Sequence, residues 1–234
     1  MANIQTAVEM ICRELGDSSA DAKAYAKSIA LMTYADLIEE YPWSFVEQRD
    51  GLPCAFTATN AFCTVSSDDV GRILFLGDQY RKEYYSYMSP KAMRSAKNDG
   101  TPFGSQNVSS PAVFSISGYA SGRPVLEVAP APSVAKTLYL YYCQKGKEAN
   151  YTLMPDGMQI LHHHKTMSVI APPQKIDKSN GAVWWNAIKK NAYDMYQLEL
   201  ANAIVKYGVP VNENGNLPYV DASVQDTFSD IYNY

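Results

Sequence analysis

Residues Gly100–Gly146 read GTPFGSQNVSSPAVFSISGYASGRPVLEVAPAPSVAKTLYLYYCQKG. Three runs inside this stretch, Ala112–Ile116, Pro124–Val128 and Thr137–Tyr142, are rich in Val, Ile, Phe, Leu and Tyr. They alternate with the period of two that a half-buried strand requires. Turn formers fence each run. Gly118, Ser121 and Gly122 supply positive φ or local side-chain bonds for a hairpin between the first two, and Ala129-Pro-Ala-Pro-Ser133 imposes an extended, non-helical bend before the third. The stretch predicts a small antiparallel meander.

Helical spacing appears on both sides of it. Ile4, Ala7, Val8, Ile11 and Leu15 fall on one face of a first helix that Gly16 ends. Ser18 or Ser19 can cap a second, running from Asp21 to about Glu40, where Pro42 stops it. Glu39 and Glu40 sit at its C-terminus, the wrong sign for the helix dipole, so that end must fray or meet a cation. Trp43 and Phe45 follow as structural anchors, two aromatics expected on one side of an extended segment, wedging the helix onto the sheet that comes next. Ile73–Leu76 is a further strand, and Lys91, Arg94 and Lys97 give a short basic, solvated face. After the meander, Met154-Pro-Asp156 opens a helix, and a last long helix spans Ala182–Tyr207 with Trp184, Ile188, Ala192, Met195, Leu198 and Val205 read as its packed side. Trp184 is thereby a third candidate anchor.

From Val209 onward the composition changes. Four acids and no Lys or Arg accompany the spaced apolar residues Tyr219, Val220, Val224, Phe228, Ile231, Tyr232 and Tyr234, which are candidates for an arm that orders on a partner or, alternatively, docks back on its own domain. The fold expected is α+β: a helical bundle from the N- and C-terminal helices (1–45 and 147–208), a small antiparallel β module inserted between them (46–146), and an extended C-terminal arm (209–234).

Composition narrows the function. With 234 residues and 47% hydrophobic content the chain can bury a sizeable core. A formal charge of -4 argues against a tight electrostatic grip on nucleic acid, no apolar run reaches membrane-spanning length, and the amphipathic, acid-bearing start predicts synthesis in a cytoplasm. Cys12, Cys54, Cys63 and Cys143 form no C-x-x-C pair and are expected to be reduced core thiols. Tyrosine, at 18 of 234 residues, suits surfaces that become partly dry in an assembly.

Catalytic patterns are weak. His162-His163-His164 lie on successive helical positions, about 100° apart, and splay around the axis rather than converge on a metal. Gly118-Tyr-Ala-Ser-Gly122 places its serine one position too late for a nucleophile elbow, and Asp68-Asp69 after two serines reads as a loop. No catalytic residue, metal ligand or cofactor is expected. Two alternatives stay open: a carbohydrate- or receptor-binding β-sandwich that exposes Tyr and Trp, and a small hydrolase using His162 or His164 with Asp156.

The order of these features resembles the head-to-tail adaptor proteins of tailed bacteriophages. The residues that carry the resemblance are Trp43 and Phe45, Thr101-Pro-Phe103, Gly122–Pro130, Thr137–Tyr142 and Met154-Pro-Asp156, and it extends to about Tyr207. The resemblance implies a non-enzymatic virion protein, assembled in the host cytoplasm and located in the neck. Such proteins form a ring, usually of twelve copies, below the portal protein. They link it to tail or nozzle proteins around a channel through which genomic DNA passes without sequence-specific binding, and they do not bind membrane. The helices would pack side by side between protomers, and the arm Tyr219–Tyr234 would clamp portal or a neighbouring protomer.

Overall fold

The computed structural model describes residues 3–58, 60–79, 84–98, 113–171 and 181–209. Asn3 opens helix α1 (Ile4–Leu15) by accepting the Gln5 amide on its side chain, and Gly16, at φ 65°, closes it with the left-handed turn that a residue without Cβ adopts cheaply. Ser19 caps α2 (Ala20–Glu40) through the Ala22 amide. Further along the same unit, α4 (Asp156–Val169) and α5 (Gly181–Tyr207) follow a 3-10 turn at Glu148–Leu153; the remaining helix, α3 (Pro90–Asn98), belongs elsewhere. The helical unit, Met1–Val46 with Lys145–Val209, has a core of Val8, Ile11, Cys12, Ala26, Ala30, Met167, Ile170, Trp185 and Ala192. The cation that the acidic end of α2 requires is Lys165, which pairs with Glu40.

The chain ends of this unit are sewn together. Trp43 pairs with Gly208 in an antiparallel bridge, the Val209 amide donates to the Pro42 carbonyl at 2.7 Å, and Ser44 Oγ donates to the Tyr207 carbonyl at 2.9 Å. The Trp43 ring is fully buried and its Nε1 donates to the Leu37 carbonyl at 2.6 Å, satisfying one of the orphan carbonyls at the end of α2. Gly146 passes so close to α2 that an added Cβ would lie 2.5 Å from Ala35 Cα.

The second unit contains Glu47–Gln144. Its strands are β1 (Glu47–Phe56), β2 (Phe62–Thr64), β3 (Val70–Gly77), β4 (Tyr84–Tyr87), β5 (Val113–Ala120), β6 (Arg123–Ala129) and β7 (Lys136–Gln144). They form one sheet in the order β1-β7-β3-β4-β5-β6-β2. The β4–β5 pair is parallel and the other pairs are antiparallel. The sheet curls until its two outer strands, β1 and β2, lie against each other around a core that includes Cys54, Phe56, Leu76, Phe114, Leu126, Val128, Leu138 and Leu140.

This architecture overturns the expected fold. The chain is a mixed α/β protein with five helices and a curled seven-stranded sheet among the described residues, not a helical bundle carrying a small antiparallel module. The predicted meander is two separate pieces. β5 and β6 form the hairpin, with Ser121 and Gly122 both at positive φ as a tight strand-to-strand turn needs. β7 instead crosses to the far side of the sheet and pairs with β1 and β3. Alternation fixes which face a strand buries; it says nothing about which strand lies beside it. β1 escaped notice because Arg49, Asp50, Gly51 and Pro53 interrupt its pattern where the register shifts between Gln48 and Leu52.

Candidate functional site: the outer face of the last helix

Helix α5 is apolar on two sides. Trp185, Ala192, Tyr196 and Ala203 are buried, with Ile188 packed beside them, and they fix the inner face against α4 and the core. Turned away from them, Trp184, Ala187, Asn191, Asp194, Leu198, Ala201 and Val205 are all exposed. Trp184, Asn191, Leu198 and Val205 recur every seven residues, two helical turns, and so form one line along the helix. Leu198 keeps 66% and Val205 89% of its surface open. Lys190 and Asp194, both exposed, edge the line with opposite charges one turn apart. Near the end of α5, Asn202, Lys206 and Tyr207 with Gly157 and Ile160 of α4 line a shallow groove of about 180 Å³.

The sequence-predicted anchors separate in this structure. Trp43 is buried within the helical unit, where it closes α2 and the end of α5. Phe45 lies in a 3-10 turn (Ser44–Val46), not an extended segment, and is half-buried with its ring stacked at 6.1 Å on Trp43. Trp184 is 55% exposed, and the buried anchor is its neighbour Trp185, whose Nε1 donates to the Ile170 carbonyl. Of the residues expected on the packed side of α5, Ile188 and Ala192 do pack on the core whereas Trp184, Leu198 and Val205 are exposed, because apolar residues on both faces leave the period of 3.6 without a unique direction. The arm candidates Tyr219–Tyr234 and the Thr101-Pro-Phe103 motif lie outside the described residues.

Among the described residues, half of the tyrosines are internal. Tyr34, Tyr85, Tyr87, Tyr141, Tyr142, Tyr151 and Tyr196 are buried, whereas Tyr25, Tyr84, Tyr119 and Tyr193 are exposed. Lys97 of α3 pairs with Glu127, so the short basic face is partly engaged. The Asp69 amide donates to Ser67 Oγ at 3.1 Å, the local bond of a loop.

The three histidines do splay. His162 points inward and is buried; its Nε2 lies 2.8 Å from the Ala30 carbonyl, which only accepts, so Nε2 carries the proton. Nδ1 then accepts from the Tyr151 hydroxyl at 3.0 Å. Thr33 and Thr166 complete the cluster with their hydroxyls 2.7 Å apart, Thr166 donating to the His162 carbonyl. Burial, helped by His163 and Lys165 and opposed by the Ala30 carbonyl, holds the His162 imidazole down at about 4, and burial pushes the Tyr151 phenol up. His163 meets Glu14 at 2.7 Å and His164 meets Glu199 at 3.8 Å. Asp156, in the first turn of α4, accepts from the Gln159 side chain at 3.0 Å.

No protein-family model matches the chain, and no curated protein matches it. No helix among the described residues is long and apolar enough to cross a membrane.

Proposed function

We propose that this chain is a structural component of a tailed-phage neck, a head-to-tail adaptor whose copies associate into a ring below the portal and hand on to tail proteins. The observation that carries the proposal is the outer line of α5. A helix that needed only to close its own core would be apolar on one side, and the second apolar line asks for a partner. The occupant is a second copy of the chain. A seven-residue repeat with one asparagine in its middle is the pattern by which helices pack on helices and fix their register, and the Lys190 and Asp194 edge offers opposite charges to an identical neighbour. The order of sequence features up to Tyr207 supports the adaptor role, the net charge of -4 suits a wall past which DNA slides, and the arm from Tyr219 to Tyr234 would engage portal or the adjacent protomer.

Native mass measurement of the full chain, alone and mixed with purified portal rings and tail proteins of the same virus, tests this. A single copy alone and a multimer on the portal is the expected result. A chain that stays solitary beside every one of these components, or that turns over a substrate, overturns the proposal.

A further inference from the structure

The two outer strands of the curled sheet meet at a pair of thiols. Thr57 and Asn60 exchange both backbone hydrogen bonds at 3.1 Å, an antiparallel bridge that joins the end of β1 to the approach of β2. Carrying that register back sets residue 56 opposite 61, 55 opposite 62, and Cys54 opposite Cys63. Hydrogen-bonded and non-hydrogen-bonded pairs alternate, so Cys54 and Cys63 fall at a non-hydrogen-bonded position, where facing side chains stand closest. The strands then part, β1 to pair with β7 and β2 with β6, so between them they form the seam of the sheet.

Both residues belong to the same core: Cys54 is fully buried and Cys63, half-buried, packs against that cluster. Cys54 Sγ donates to the Leu52 carbonyl at 3.5 Å and Cys63 Sγ to the Thr64 carbonyl at 3.7 Å, the two thiols are close enough to perturb each other's ionisation, and all four cysteines of the chain are free. The neighbouring Cys54 thiol draws the Cys63 thiol down against the opposing effect of burial, while the same neighbour and burial push Cys54 up. Cys63 is thus the thiol with access to solvent, and Cys54 the one buried behind it.

We propose that Cys54 and Cys63 are a dithiol–disulfide site that takes up a low-molecular-weight disulfide as oxidant and closes the β1–β2 seam covalently. The Cys63 thiolate attacks one sulfur of a disulfide such as oxidised glutathione. A Cys63–S–S–R bond forms, and the first thiolate leaves with the electron pair and takes the Cys63 proton. Cys54, losing its own proton, attacks Cys63 Sγ; the second thiolate leaves and is protonated in turn. Two cysteine thiols are oxidised, one external disulfide is reduced to two thiols, and the sheet gains a bond across the gap its hydrogen-bond ladder leaves open.

The full chain incubated with oxidised glutathione, quenched with acid and measured by intact mass should lose two hydrogen atoms. Peptide mapping without reductant should recover Cys54 linked to Cys63, with Cys12 and Cys143 still free to alkylate after unfolding. The oxidised form should melt roughly 5–10 °C higher, the shift expected when a short loop is cross-linked in a chain of this size. Cys54→Ala should stop at the glutathione adduct on Cys63, and Cys63→Ala should take up none. A wild-type chain that accumulates a stable Cys63 adduct, links any other pair, stays reduced, or melts lower once oxidised overturns the proposal. The wild-type readout stands even where a variant fails to fold.

Discussion

Lowering the pH from 7 to 5 should cost the helical unit about 2 kcal/mol through His162 alone. The imidazole is held at about 4 in the folded chain and returns to its ordinary value of 6.5 when unfolded. Between these values the unfolded chain binds a proton that the folded chain refuses, so stability falls as pH falls through this window. The loss begins near 6.5 and levels off below about 4, where both states are protonated. For those two pKa values the linkage integral from pH 7 to pH 5 is about 2 kcal/mol, on the order of half the full loss.

All three tryptophans, Trp43, Trp184 and Trp185, belong to the helical unit, so their fluorescence in a urea titration reports this unit by itself. His162→Gln keeps a side chain able to donate to the Ala30 carbonyl but removes the titration. It should cost about 1–3 kcal/mol at pH 7 for the imperfect bonds it leaves, and then fall less steeply with acid than the wild type. Subtracting the two pH profiles cancels the carboxylates and the other histidines. If wild type and variant lose equal stability between pH 7 and pH 5, then His162 is not the buried neutral group described here.

Leu198→Glu puts a charge in the middle of the outer line of α5, at a position already 66% exposed. It should leave the melting of the isolated chain within about 0.5 kcal/mol of wild type yet abolish the multimer formed on portal, read by native mass. Gly146→Ala forces its new Cβ onto the backbone of α2 at Ala35 and should destabilise the helical unit by about 1–3 kcal/mol in urea. Trp43→Phe retains an aromatic ring but withdraws the donor to the Leu37 carbonyl; a loss of about 1–3 kcal/mol by circular dichroism is expected.

What could be seen in the sequence was whatever depends on neighbours along the chain. Gly16, Ser19 and the Ser121-Gly122 pair act within a few residues of themselves, and each closes or opens the element whose limits they mark. The acidic end of α2 also announced its need for a cation, although only the packing of α2 on α4 supplies Lys165. What stayed hidden was set by partners distant in sequence. β7 alternates as well beside β1 and β3 as it would beside β6, and only closure of a curled sheet decides between them. β1 carries charged and turn-forming residues at its register shift, and its strand character comes from the pairing with β7. In α5 the adjacent Trp184 and Trp185 point about 100° apart, and nothing local says which one the core will take. The outer line was readable as a repeat of seven, but it could be recognised as an outer face only once Trp185, Ala192 and Tyr196 had been placed inside.

Magnitudes decide how such a face would behave in the proposed ring. Covering Trp184, Leu198 and Val205 removes apolar surface worth about 1–3 kcal/mol for each side chain, or about 5 kcal/mol for the three together. Two free chains lose about 4–15 kcal/mol of translational and rotational freedom on associating, so the line by itself does not sustain a stable dimer. A portal that binds each copy separately would meet most of that cost beforehand, because neighbours held side by side contact one another at a high effective concentration. The same 5 kcal/mol then suffices to close the ring. An apolar line of this size therefore suits a protein kept single after synthesis and assembled only on a template. A line long enough to drive ring formation unaided would produce empty rings away from the portal, which the interruption at Asn191 opposes.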